Sequence, residues 1–117
     1  MLLTAALLFG AAVQAPAAAD LVGFYETSQI EVAAGLELKK SGHFRYALDY
    51  GAVSERTEGD WTFDGTTLRL TSNPMPPKLH ALELGNARFE RQPIALKDGD
   101  LFLERYETIF RFRRVEP

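Results

Sequence analysis

The chain has 117 residues, of which 46% are hydrophobic and 25% charged, and its formal net charge at pH 7 is −3. This length accommodates one domain around a single core. The chain contains no cysteine, which excludes disulfides, thiol catalysis, iron–sulfur clusters and cysteine-based zinc sites. Its weakly acidic, mixed charge lacks the basic field of a nucleic-acid-binding protein, so nucleic acid is not an expected partner.

Residues 1–19 contain no charged side chain and are dominated by an apolar run followed by small residues. Ala17 and Ala19 satisfy the small-x-small rule of signal peptidase for cleavage before Asp20. The alternative is a membrane anchor, but glycine, glutamine and proline interrupt the run. We therefore predict a signal peptide at 1–19, a single domain at 20–117, and a secreted or periplasmic protein without stable membrane insertion after cleavage. Export without disulfides favours a bacterial envelope.

Alternation of apolar and polar residues is the dominant pattern of the remaining chain. In His43–Tyr50 the even positions are aromatic or leucine, whereas the odd positions are mostly polar. Successive side chains of a strand point to opposite faces, so this segment predicts a half-buried strand. Turn signals recur about every 10 residues, as expected of an antiparallel barrel or sandwich. The predicted strands are Gly23–Ile30, Gly35–Lys40, His43–Tyr50, Glu55–Phe63, Thr67–Thr71, Leu79–Leu84, Ala87–Leu96, Leu101–Tyr106 and Thr108–Arg113.

Two segments depart from this pattern. The polar run Ser54–Glu58 is consistent with an exposed strand end or a protruding hairpin arm. The run Ser72–Pro77 contains three prolines and predicts an extended loop, since each proline removes a ladder donor. The last two predicted strands form either one bent strand or a tight hairpin. About eight short strands favour an all-β, up-and-down antiparallel barrel, which leaves no edge strand. A β-sandwich is the alternative.

A series of short motifs runs through the first half of this domain: Leu36-x-Leu38, Gly42-x-Phe44, Gly59-x-Trp61 and Leu68-x-Leu70. The series resembles the lipocalin-like domains of small secreted bacterial proteins. The segment Leu21-x-Gly23-x-Tyr25 resembles their Leu-x-Gly-x-Trp start, with tyrosine in place of tryptophan. The resemblance implies a β-barrel in which an arginine of the last strand, Arg111 or Arg113, stacks on the aromatic ring of Tyr25.

Few residues indicate catalysis or metal binding. His43 and His80 are the only histidines, and neither belongs to a metal-ligand motif, so we interpret them as surface residues. No serine lies in a nucleophile motif. No cofactor or metal is expected. Two groups of carboxylates lie close together in the sequence and could in principle form a catalytic pair, but we interpret them as solvated surface charge: Glu55, Glu58, Asp60, Glu104 and Glu107.

Aromatic and basic residues supply the remaining candidates. Eight aromatic residues fall on predicted inward faces, where they form either the core or the lining of a pocket: Tyr25, Phe44, Tyr46, Tyr50, Trp61, Phe63, Phe110 and Phe112. A C-terminal basic strip either contacts an anion or, as we prefer, prevents strand pairing at an edge: Arg105, Arg111, Arg113 and Arg114. The candidate ligand-binding residues are Tyr25, Tyr46, Tyr50, Trp61, Arg111 and Arg113.

These features lead to three functional hypotheses. The first is a non-catalytic exported protein that binds a small apolar or amphipathic ligand at the mouth of the barrel. The second is an envelope interaction module whose barrel is filled by side chains and whose outer surface binds another protein. The third is an enzyme, which no motif supports. The sequence leaves the ligand, the partner and the oligomeric state open.

Overall fold

Eight antiparallel strands close into a barrel in the computed structural model, which describes residues 16–74 and 88–116. Each strand pairs with the next one along the chain, and β8 returns to pair with β1. This confirms the predicted all-β barrel in preference to the sandwich. The elements are α1 (Ala18–Leu21), β1 (Gly23–Thr27), β2 (Val32–Leu38), β3 (His43–Tyr50), β4 (Val53–Phe63), β5 (Leu68–Ser72), β6 (Gln92–Lys97), β7 (Asp100–Arg105) and β8 (Thr108–Arg114).

The structure differs from the predicted strands at the start of β4 and the start of β6, and it resolves the alternative left open for the last two strands. The polar run Ser54–Glu58 belongs to the first half of the 11-residue β4, in the part of the β3–β4 hairpin that precedes the pairing with β5. Ser54, Arg56 and Glu58 are exposed as expected, whereas Glu55 is buried. The last two strands form a tight hairpin. β6 begins later than predicted, and Arg91, just before it, has a positive φ of 52°. The predicted strand Leu79–Leu84 lies outside the described residues, as do residues 1–15 of the predicted signal peptide.

The barrel closes through a short seam between β1 and β8. Only Tyr25 with Arg114 and Glu26 with Arg113 form strand pairs there. The side chain of Gln29 extends the seam, because its Oε1 accepts a hydrogen bond of 2.7 Å from the backbone N–H of Arg111. The side-chain amide therefore takes the place of a missing backbone partner.

The inward faces of the strands form one continuous apolar core. Sixteen hydrophobic residues of the described chain are buried in it. Of the eight aromatic residues predicted to face inward, six are buried, and Tyr50 and Phe63 pack against the core in a half-buried state. Phe89, which precedes β6, also enters the interior and is only 2% exposed. Side chains thus occupy much of the barrel interior, as expected for a small eight-stranded barrel.

Gly59 allows β4 and β5 to approach each other closely. A Cβ atom at this position would lie 2.8 Å from Cα of Ser72 and 2.9 Å from the backbone nitrogen of Asn73, both shorter than ordinary contacts. Two residues further on, Trp61 donates from Nε1 to the backbone oxygen of Lys39 at 2.9 Å. The Gly-x-Trp motif therefore combines a close strand approach with a ring that packs on the β2–β3 turn.

The antiparallel topology gives the barrel two distinct ends. The helix end carries α1 together with the β2–β3, β4–β5 and β6–β7 turns. The β3–β4 end carries the β1–β2, β3–β4 and β7–β8 turns, and there β5 ends and β6 begins. Among residues 16–74 and 88–116, no helix has the length and apolar character needed to cross a membrane.

Candidate functional site

The helix end is closed by contacts between the barrel and the segment that precedes β1. The Tyr25 hydroxyl donates to the backbone oxygen of Leu21 at 2.8 Å. The Arg114 guanidinium lies 4.9 Å from the centre of the Tyr25 ring and donates from Nη1 to the backbone oxygen of Val22 at 2.7 Å. Its Nη2 donates to the Tyr25 hydroxyl at 2.8 Å. Burial raises the pKa of Tyr25 despite the nearby charge of Arg114, so the hydroxyl keeps its proton.

The stacking arginine is Arg114, and the expectation of Arg111 or Arg113 was wrong. Inward positions of β8 alternate from Phe110 through Phe112 to Arg114, whereas Arg111 and Arg113 point outward and are exposed. Arg111 instead donates from Nε to Oδ2 of Asp100 at 2.7 Å. The inward faces predicted for Phe110 and Phe112 already placed Arg111 and Arg113 on the opposite face, and the predicted strand stopped one residue before Arg114.

A buried carboxylate organises the β3–β4 end. Glu55 is only 4% exposed, and each of its two oxygens accepts two hydrogen bonds. Oε1 accepts from the Tyr46 hydroxyl at 2.8 Å and from Nε of Arg105 at 2.6 Å. Oε2 accepts from Nη2 of Arg105 at 2.9 Å and from the Tyr106 hydroxyl at 2.7 Å. We call these four residues, Tyr46, Glu55, Arg105 and Tyr106, the Glu55 cluster.

The cluster joins two neighbouring strands, β3 and β4, to β7, which pairs with neither of them. Tyr46 lies on β3 and Glu55 on β4, whereas Arg105 ends β7 and Tyr106 follows it in the β7–β8 turn. Because β4 and β7 are not paired, the Arg105–Glu55 bonds cross the barrel interior. Tyr106 and Glu107 both adopt positive φ values, 56° and 58°. Such a conformation costs about 1 kcal/mol or more for a residue other than glycine, and the Tyr106–Glu55 bond helps to offset it.

The protonation states of the cluster follow from its contacts. Burial acts to raise the pKa of Glu55, but the hydrogen bonds from Arg105, Tyr106 and Tyr46 outweigh it and hold that pKa below its ordinary value. The bond to Glu55 raises the pKa of Arg105 further. Burial and the bond to Glu55 raise the pKa values of Tyr46 and Tyr106. At neutral pH the cluster is therefore a fixed ion pair with two neutral hydroxyl donors.

Two aromatic rings hold the guanidinium of Arg105 in place. Its central carbon lies 5.2 Å from the centre of the Phe89 ring and 5.0 Å from that of Tyr106. Phe89 is itself fixed, since its backbone N–H donates to Oγ of Ser72 at 2.9 Å and its ring packs edge-on against Tyr46, with the centroids 4.9 Å apart. The combination of ring contacts and two bonds to Glu55 leaves the guanidinium little freedom to move.

The predicted site residues do not converge on one place. Tyr46 belongs to the Glu55 cluster, and Tyr50 lies on the same strand near this end, with its ring 5.5 Å from that of Phe110. Tyr25 and Trp61 lie at the helix end and make their hydrogen bonds there. The two predicted arginines lie on the outer surface. The C-terminal basic strip is likewise divided, since Arg105 reaches into the interior and β8 is a paired strand rather than an edge.

The interpretation of Glu55 as solvated charge was wrong, and it holds for the other four carboxylates, Glu58, Asp60, Glu104 and Glu107, which are exposed. The alternation of inward and outward positions along β4 and β7 could have revealed that Glu55 and Arg105 face inward. Counting back by twos from the inward-facing Trp61 leads to Glu55, and counting forward from Leu101 and Leu103 leads to Arg105. A pair of opposite charges on inward rows indicates a buried ion pair, because unpaired charges are rarely buried.

The described surface has two further features of interest, an exposed histidine and an outer groove. His43 is exposed and lies 2.7 Å from Asp60, in accordance with a surface role, whereas His80 lies outside the described residues. Within residues 16–74 and 88–116 no group of three or more metal-ligating side chains converges. A groove of about 500 Å³ lies over the outer face of β1–β4, where Gly35 and Ala47 leave space beside the exposed ring of Phe24.

Comparison with known proteins adds no identity to these observations. No protein-family model matches the chain, and no curated protein or solved structure matches it significantly.

Proposed function

We propose that this protein is an exported, non-catalytic barrel of lipocalin-like type that binds a small apolar or amphipathic molecule at the β3–β4 end. The observation that supports this most strongly is the Glu55 cluster. Three tyrosines lie at or beside it, Tyr46, Tyr50 and Tyr106, and they combine apolar ring surface with a polar hydroxyl. Ligand sites typically have this composition, a mostly apolar lining with a few fixed polar groups.

The energetics of buried charge favour a role for the cluster beyond stability. Removing two charges from water costs several kcal/mol per ion, so a buried ion pair is often no more stabilising than apolar residues of the same size. An apolar core could therefore have closed the β3–β4 end as it does the middle of the barrel. Placement of the ion pair at one end, beside the half-exposed Tyr106, suits recognition of a molecule that arrives from solvent. At neutral pH Glu55 stays ionised while Arg105 and the two tyrosines stay protonated, so the cluster suits binding better than proton transfer.

Binding is tested with the neutral fluorescent probe N-phenyl-1-naphthylamine and amide chemical shifts of the ¹⁵N-labelled protein. We expect the shift changes to be centred on Tyr50, Phe89 and Tyr106, and Tyr50→Leu to weaken binding at least fivefold. Phe24→Leu is the matched control, since it removes a partly exposed ring from the outer face and should leave binding unchanged. Shift changes confined to the outer groove, or equal effects of the two variants, would contradict binding at this end.

Export is tested by the mass of the protein recovered from its own cells. Cleavage before Asp20 predicts a chain that begins at that residue and is released from the envelope without detergent. A full-length chain that requires detergent for release would favour the membrane-anchor alternative.

An interaction module remains a second candidate because side chains fill much of the interior and a groove lies on the outer face. Native mass spectrometry of the protein from its own envelope separates the two functions. A small extra mass that is lost on denaturation supports ligand binding, whereas a complex with another protein and no small ligand supports the second candidate.

A further inference from the structure

We propose that the β3–β4 end selects molecules with an anionic head group, which binds the outer edge of the Arg105 guanidinium. This inference rests on the proposed binding function and specifies the class of ligand: an amphipathic anion, such as an alkyl sulfate, carboxylate or phosphate. It assigns Arg105 as the recognition residue and Glu55 as the residue that positions it.

The hydrogen bonds of Arg105 leave one side of its guanidinium unused. Nε and Nη2 both donate to Glu55, whereas no described residue accepts a hydrogen bond from Nη1. Every buried side-chain nitrogen and oxygen of the described residues has a hydrogen-bond partner. Nη1 is therefore not buried, and about a quarter of the Arg105 side chain is exposed. The Nη1 edge therefore carries N–H donors that no described residue accepts and that are not fully buried.

The same geometry explains why an anion fits this edge. Both oxygens of Glu55 already accept two hydrogen bonds each, so the carboxylate has little capacity left for a donor or a cation from solvent. Arg105 can donate but cannot accept, and its position is fixed before any ligand arrives. A ligand anion gains charge-assisted hydrogen bonds from Nη1, and its apolar part gains contact with the half-exposed ring of Tyr106.

Three probes with the same octyl chain test this assignment on the unaltered protein: octyl sulfate, octanol and octyltrimethylammonium. The two ionic probes are used below their micellar concentrations and octanol below its solubility limit. Dissociation constants are measured by titration calorimetry or amide shifts. We expect octyl sulfate to bind at least tenfold more tightly than octanol, and the cation to bind more weakly than octanol. We also expect added salt to weaken octyl sulfate binding while leaving octanol binding nearly unchanged.

A pair of variants separates recognition by Arg105 from a general effect of charge. Glu55→Gln removes the negative charge that opposes the ligand beside Arg105 but keeps one side-chain oxygen that can accept from the guanidinium and hold it in place. Octyl sulfate should therefore bind this variant more tightly. Asp100→Asn makes the same change of net charge beside Arg111, whose Nε bond to Asp100 is 2.7 Å long, on the outer surface. We expect no change in octyl sulfate binding in that variant. Thermal melting of both variants verifies that they fold. If Glu55→Gln does not fold, the three octyl probes still test the assignment on the unaltered protein.

The possible results are distinguishable. Equal binding of octyl sulfate and octanol at the β3–β4 end, with no response to Glu55→Gln, would overturn the anion assignment and leave the binding function intact. Preference for the cation would overturn it in the same way. Failure of all three octyl probes and of the neutral naphthylamine to bind would overturn the binding function itself, and the assignment with it.

Discussion

Replacing Glu55 by alanine should destabilise the barrel strongly, because it leaves a buried arginine without its partner. The Glu55 and Arg105 side chains are 5% and 24% exposed, so their ion pair is screened little by water. Removing one member of such a pair costs about 3–5 kcal/mol, since the other charge stays buried and unpaired. Tyr46, which is 3% exposed, also loses its acceptor, whereas the half-exposed Tyr106 turns to water.

The expected loss for Glu55→Ala is therefore about 4 kcal/mol or more, a large part of the roughly 5–15 kcal/mol that stabilises a typical domain. For a chain of this size it corresponds to a fall in Tm of roughly 15 °C or more. Urea unfolding followed by the fluorescence of Trp61 gives the free energy directly. Asp100→Ala is the control, because it breaks the more exposed pair with Arg111 and should cost no more than about 1 kcal/mol. A Glu55→Ala protein within 1 kcal/mol of wild type would show that Arg105 is hydrated in solution and that the cluster is not a buried pair.

Three further predictions concern Glu55, Gly59 and Arg114. Folding lowers the pKa of Glu55 below its ordinary value of about 4.5. The contribution of Glu55 to the free energy of unfolding is therefore complete at pH values above 4.5 and is lost as the pH falls through the lowered pKa of the folded protein. In acid titrations monitored by circular dichroism, Glu55→Gln should lose this part of the pH dependence. Gly59→Ala should cost about 3 kcal/mol in urea unfolding, since β5 must move to admit the methyl group. Arg114→Met should lower the free energy of unfolding by about 1–3 kcal/mol, against no more than about 0.5 kcal/mol for the outward-facing Arg113→Met.

The barrel was predictable because alternation and turn residues act locally. Each strand that buries one face must place its apolar residues at every second position, and His43–Tyr50 shows this pattern without interruption. The β7–β8 hairpin was harder to predict, because Tyr106 and Glu107 occupy turn positions that usually require glycine or asparagine. That turn is held in part by a bond to a residue about fifty positions away, Glu55, which no local pattern reveals.

The candidate site was predicted only in part, for a different reason. Polarity along β4 was interpreted as exposure, although Glu55 lies on the same inward row as Trp61. A charge on an inward row is stable only with a partner, and the partner of Glu55 lies on a strand that is distant in sequence. The sequence therefore contains both halves of the ion pair, each visible by alternation, but the pairing itself depends on closure of the barrel.

The two ends of the barrel use the same residue types to different effect. At the helix end, Arg114 and Tyr25 bond to backbone oxygens of residues 20–22, so the chain itself covers the stacked pair. These contacts begin at Asp20, and cleavage before that residue would preserve all of them. At the β3–β4 end, Arg105 and the tyrosines bond to another side chain, Glu55, and Nη1 of Arg105 has no acceptor among the described residues. Because Arg105 is held in place by Glu55 and two aromatic rings, binding of a ligand there would not require the barrel to rearrange, and we therefore propose recognition at this end.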